Sequence, residues 1–178
     1  MAYQEEYTDP ALLADANIGE KGRFEISEKE QVAQTSLHMV KQARRTIDIV
    51  CRDLEPRLYD NDEFANAIKA FATNSRMAKV RMLIHNSDHI IKNGHRLLEL
   101  TRRLTSYMEI RVQGKGYREF NEAWLIIDET AWLRRPHSDR FEGECDFYAP
   151  RQLRDVLKSF DSMWNEAVLD PNLRQLHI

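Results

Sequence analysis

Two groups of side chains in this 178-residue sequence have the types and spacing to do chemistry. The first gathers Asp53, Glu55, His85, Asn86 and Asp88, with Tyr117 and Asn121 further along. A histidine beside a carboxylate makes an acid–base pair that moves a proton near neutral pH. His85 with Asp53 is the natural candidate. The same residues have a plainer use, because Asp and Asn favour turns and helix starts through local hydrogen bonds. The second group is cationic. Residues 76–118 hold ten Lys/Arg against three Asp/Glu, in a chain whose net charge is −3. Such a segment either meets an anionic partner, nucleic acid included, or forms solvated helix faces balanced by the acidic ends. Six His and two Cys are scattered with no metal-ligand spacing, so neither a metal nor a cofactor is expected.

These side chains need elements to hold them. Thr46 to Cys51, Val80 to His85 and Met108 to Val112 are short β-forming runs. Trp124 to Ile127 and Ala131 to Leu133 read as two adjacent strands joined by a tight turn at Asp128-Glu129-Thr130. Gly143 to Tyr148 is a last strand. Between them lie helices. One opens on a capping box at Ser27-Glu28-Lys29-Glu30 and carries Val32, Ser36, Met39, Val40 and Ala43 on one face. A second carries Phe64, Ala65, Ile68, Phe71 and Ala72. A third, after Gly94, carries Leu97, Leu98, Thr101 and Leu104. The closing helix starts near Pro150 and has the clearest stripe: Leu153, Val156, Leu157, Phe160, Met163, Trp164 and Ala167. The three tryptophans, Trp124, Trp132 and Trp164, read as core residues rather than stacking platforms. Strand–helix–strand–helix–strand implies right-handed crossovers, hence an α/β fold with a mixed, mainly parallel sheet and helices on both faces. Ligands of such sheets sit beyond the carboxyl ends of the parallel strands, where the first group falls.

The segment from Asn121 to Arg135 then carries a resemblance. An apolar strand closed by Asp128 and followed by a turn resembles the signature of the phospholipase D-like superfamily, His-x-Lys-x4-Asp. Counting back from Asp128 puts the His position on Asn121 and the Lys position on Ala123. The Ala43-Arg44-Arg45-Thr46-Ile47-Asp48-Ile49 step and the Phe160/Trp164 helix extend the likeness over about Ser27 to Val168. The chain also looks like uncharacterised bacterial domains of this kind. The resemblance implies one half of a pair of such domains, meeting another half in a homodimer. In the family the His attacks phosphorus and the Lys holds the phosphoryl oxygens, so Asn121 and Ala123 imply a degenerate, non-catalytic frame. Arg134 and Arg135 fall where the family lines its phosphate site, and two guanidiniums could hold an anion bidentately. Surface ion pairing is their other reading.

Composition agrees with a single globular domain, 42% hydrophobic and 31% charged. The organisation expected is an extension over residues 1–26, the domain over 27–169 and a tail over 170–178. The acidic N-terminus does not read as an export signal, and no apolar run reaches membrane-span length. Cytoplasmic placement follows, with Cys51 and Cys145 as reduced thiols. The functional expectation is a binding or regulatory module for a phosphate-containing ligand or a protein partner. The alternatives are a diverged hydrolase using the Asp53/His85 rim and a nucleic-acid-binding domain using residues 76–118.

Overall fold

The apolar runs of the sequence assemble, in a computed structural model that describes residues 6–174, into one seven-stranded sheet. The strands are β1 Arg23–Ile26, β2 Thr46–Cys51, β3 Lys79–Ile84, β4 Met108–Val112, β5 Ala123–Ile127, β6 Ala131–Arg135 and β7 Gly143–Asp146. Their spatial order is β1-β7-β6-β5-β2-β3-β4. The helices are α1 Lys29–Gln42, α2 Pro56–Tyr59, α3 Asp62–Asn74, α4 Asp88–Asn93, α5 Arg96–Arg103, α6 Pro150–Glu166 and α7 Pro171–Arg174. The mixed α/β sheet is as the sequence predicts, with one correction of proportion. Two pairings, β2–β3 and β3–β4, are parallel and the other four are antiparallel. Connection length decides this. β5, β6 and β7 are joined by three and seven residues, at 128–130 and 136–142, too few for a crossover.

Strand alternation splits the core in two. Ile47, Ile49, Cys51, Leu125, Ile127 and Leu133 face the layer of α1, α3 and α5. Val50, Leu83, Trp124, Ile126 and Trp132 face α6, against Leu153, Phe160, Met163 and Trp164. Both faces are covered, as expected. Two arginines fasten α6. Arg81 holds buried Asp48 with two hydrogen bonds (2.7 and 3.0 Å), reaches Asp161 on the helix, and lies 4.5 Å over the Phe160 ring. Arg111 lies 4.4 Å over Trp164 and donates to its carbonyl.

Local signals shift slightly. The α1 start falls one residue beyond the expected box: Gln31 Oε1 accepts from the N–H groups of both Ser27 and Glu28 (3.0 and 3.2 Å), so Glu28 is the cap. α4 is an additional short helix after β3. The described part of the N-terminal extension lies on the domain. His38 Nε2 donates to the Ala16 carbonyl at 2.7 Å, and β1 adds to the sheet edge beside β7. Residues 1–5 of the extension and 175–178 of the expected tail lie outside the described residues. Leu173 of the tail is buried.

Candidate functional site

β2 and β3 end side by side, and the chain leaves β2 through Arg52-Asp53-Leu54-Glu55 before Pro56 opens α2. Leu54 is fully buried and left-handed, with φ 57°. For a residue with a Cβ this costs about 1–2 kcal/mol, so neighbours must hold it. Its N–H donates to Cys51 Sγ at 3.3 Å, and its carbonyl accepts from His95 Nε2 at 2.9 Å. His95 Nδ1 in turn accepts from the Leu97 N–H at 3.1 Å, capping α5. This pattern fixes the neutral tautomer protonated on Nε2, and burial holds the imidazole pKa below its ordinary value. Burial also pushes the Cys51 thiol up to about 12, so it is no nucleophile at neutral pH.

The strained turn delivers the Glu55 carboxylate to Arg135 at the end of β6. Arg135 Nη2 meets both carboxylate oxygens at 2.8 and 2.9 Å, and Nη1 donates to the Ser138 and Arg140 carbonyls at 3.2 and 2.7 Å. Arg135 is 1% exposed, and its Nε has no hydrogen-bond partner among the described residues. Burial pushes the Glu55 carboxyl above its ordinary pKa, against the pull of Arg135. Beside this pair opens a pocket of about 380 Å³. Arg52, Asp53, Glu55 and Arg57 line one part of it, and Ser138, Asp139 and Phe141 another.

The residues singled out by sequence divide between this pocket and other places. Asp53 and Glu55 line it. His85 does not join them: its Nε2 donates to the Arg118 carbonyl at 2.9 Å, so the expected Asp53–His85 pair is not formed. Asn86 Oδ1 accepts from the Asp88 N–H at 2.7 Å, which is the turn-and-helix-start use of these residues. Tyr117 reaches Glu166 on α6. Asn121 accepts from Ser138 twice, through Oδ1 from Oγ and through its carbonyl from N–H, both at 2.7 Å, and so pins the loop that walls the pocket. Ala123 is buried in the core. Asp128 stands at the other end of β5, where its carboxylate accepts from the N–H groups of Arg44, Arg45 and Thr46 at 2.9, 2.7 and 2.9 Å.

Arg134 and Arg135 do not make one anion site. Successive strand residues point to opposite faces. Arg134 lies on the α6 face, bonded bidentately to Glu122 at 2.9 and 2.7 Å, while Trp124 Nε1 donates to the same carboxylate. Burial would raise the Glu122 pKa, but the Arg134 and Trp124 hydrogen bonds outweigh it and hold the group below its ordinary value. The basic segment is also partly committed. Arg81, Arg96 and Arg111 hold carboxylates, and Arg102 holds two carbonyls after α6. Periodicity says nothing about Arg52, Arg57, Ser138 and Phe141. Their one signal is position, just past β2 and in or beside the turn after β6. Among the described residues no cluster of His, Cys, Asp and Glu could hold a metal.

A mixed seven-stranded sheet whose parallel strands β2, β3 and β4 lie together at one side, with helices on both faces and a pocket beyond the strand ends, has the phospholipase D-like fold. Solved structures share it. NucT from Helicobacter pylori matches 84% of this chain and 98% of its own at 15% identity and TM-score 0.61. Nuc from Salmonella typhimurium, a phospholipase D family member, matches 84% and 97% at 12% identity and TM-score 0.57. TrmBL2, an archaeal chromatin protein with a novel mode of DNA binding, matches at 14% identity and TM-score 0.59, with 84% of this chain covering 54% of that one. The chain thus spans about half the length of TrmBL2 and nearly all of NucT and Nuc. No curated protein matches the sequence. The chain belongs to the family described as Domain of unknown function (DUF7931), whose model matches residues 28–176.

Proposed function

We propose that this chain is a non-catalytic binding module that takes a small phosphate-bearing ligand in the pocket at the carboxyl end of β2. The observation that carries the reading is the pair Arg52 and Arg57. Both are exposed, both line the pocket, and neither has a carboxylate partner among the described residues. Guanidinium forks match phosphate oxygens bidentately. Asp53 and Asp139 share the lining, so a ligand with a cationic group beside its phosphate fits better than phosphate alone. Catalysis lacks its groups. In the family's frame the nucleophile falls on Asn121, an amide, and the phosphate-holding lysine on Ala123, a buried methyl. The hydrolase alternative gains no support from His85, whose ring is held by a carbonyl outside the pocket. A homodimer of two such halves belongs to this reading, and a strict monomer in sedimentation at about 30 µM would count against it.

The test is a thermal-shift panel of inorganic phosphate, phosphoethanolamine and a nucleoside monophosphate, on the native protein and on Arg52→Ala/Arg57→Ala. A ligand that binds the folded state raises the midpoint, by an amount that grows with its concentration over Kd. The expected result is a shift largest with phosphoethanolamine and lost in the double variant. A shift that survives in the variant, or none with any compound, overturns the reading.

A further inference from the structure

The opposite end of the sheet, where β2, β3 and β4 begin, carries a different surface. Arg44 and Arg45 precede β2, and Arg76 and Lys79 precede and open β3. All four side chains are exposed, and none has a hydrogen-bonded or ionic partner among the described residues. The loops that bear them are adjacent. The Lys79 N–H donates to the Arg45 carbonyl at 3.1 Å, and Lys79 is the register partner of Thr46. Asp128 determines which way the first loop faces. Its carboxylate takes three successive main-chain N–H groups, at residues 44, 45 and 46, and so draws the backbone inward while the two guanidiniums stand in solvent.

Nearby acids offset part of this charge without pairing with these four side chains. Asp48 and Asp161 are held by Arg81, and Glu109 by Arg111. Among the described residues Glu129 stands exposed at this end without a cationic partner, and Asp128 is held by main-chain N–H groups. A cleft of about 510 Å³ opens beside Lys79, lined by Arg81, Thr105 and Ser106 and also by the carboxylates Glu109, Glu129 and Asp161.

We propose that this end of the sheet, through Arg44, Arg45, Arg76 and Lys79, docks the phosphate backbone of nucleic acid. Three of the four cations are arginines, whose fork fits phosphate, and two hydroxyl residues add phosphate donors. One apolar side chain, Met77 at 75% exposure, stands among them. A membrane surface would require more apolar area than that, because interfacial binding scales with buried apolar area plus charge. The docking is independent of sequence, since backbone contacts position a duplex without reading bases. It is separate from the pocket beyond β2 and does not rest on it. It also differs from a surface made of residues 76–118: two of its four cations come from outside that segment, and most of the segment's others lie elsewhere.

The test measures fluorescence anisotropy of a labelled duplex of about 20 base pairs against salt, for the native protein and two charge-matched variants. Arg45→Glu/Lys79→Glu reverses two charges in the surface. Lys92→Glu/Lys115→Glu reverses two exposed charges at the other end of the sheet. Four phosphate contacts predict a slope of log K on log salt of about −3 to −4 for the native protein. The first variant is expected to lose about tenfold or more in affinity and about half the slope, and the second to stay within about twofold. Arg45→Gln/Lys79→Gln, which only neutralises, is expected to weaken binding in the same direction. Unchanged thermal midpoints exclude a role confined to offsetting the helix dipoles of α1 and α3. Salt-independent or absent binding overturns the proposal. So do equal losses in both reversal variants, and binding to anionic phosphatidylserine vesicles without binding to duplex.

Discussion

Asp128 organises the loop between α1 and β2, and it does so through backbone. Three main-chain N–H groups of the α1–β2 loop end on its two oxygens, and its own N–H donates to the Thr46 carbonyl. The sequence marks it as the end of an apolar strand followed by a turn. What the side chain would touch, 82 to 84 positions away along the chain, is not visible there. Leaving a buried donor unsatisfied costs about 1–3 kcal/mol. Asp128→Ala should therefore destabilise the protein by about 3 kcal/mol or more in urea unfolding, and Asp128→Asn by less, since one carbonyl oxygen still accepts. A loss below about 1 kcal/mol for the alanine variant would show that water replaces the carboxylate without penalty.

At the scale of elements, the β5–β6 hairpin matches its reading closely, down to the turn at residues 128–130. The Thr130 N–H closes it on the Ile127 carbonyl at 3.0 Å. Asp128 and Glu129 both take left-handed conformations, φ 53° and 57°. Left-handed central residues suit the twist of the paired strands, and Asp-Gly is the favoured pair for such turns. Glu129 pays the usual penalty of a Cβ in this region. Glu129→Gly should raise stability by about 1 kcal/mol, seen as a higher midpoint in thermal or urea unfolding. A neutral or lower midpoint would mean that the glycine's greater freedom in the unfolded chain cancels the relief. The Arg81 and Arg111 fastening of α6 was not legible from the stripe of that helix. A stripe reports which face is buried, but not the cations that stack on its aromatic rings from two different strands.

For the whole molecule, the buried imidazole of His95 couples the pocket wall to pH. Its folded pKa lies below the unfolded value near 6.5, because burial disfavours the charged ring. Asp60, His89 and Arg96 are the charged or titratable groups that bear on it. A depressed pKa contributes stability that is present above the unfolded pKa and is lost as pH falls through the folded one. Protonation would also remove the acceptor that caps α5. The midpoint of the native protein should therefore drop on going from pH 7.5 to 5.5 by more than that of His95→Asn. This variant keeps a capping side chain and does not titrate. Equal drops would remove His95 as the cause.

The sequence by itself determined the order of the elements, the two-sided core and the place of Asp128, because these follow from short-range periodicity and turn chemistry. It also placed Asp53 and Glu55 beyond the end of a strand. Only the tertiary structure decided which charged groups meet. Arg135 turns into the core toward Glu55 while its neighbour Arg134 turns to the other face toward Glu122, and His85 gives its hydrogen to a carbonyl instead of to Asp53. It also decided that four cations from two separate loops share one end of the sheet. Partners of this kind lie tens of residues apart in the chain. Their meeting depends on strand order and register, which hydrophobic pattern constrains only by face and not by neighbour.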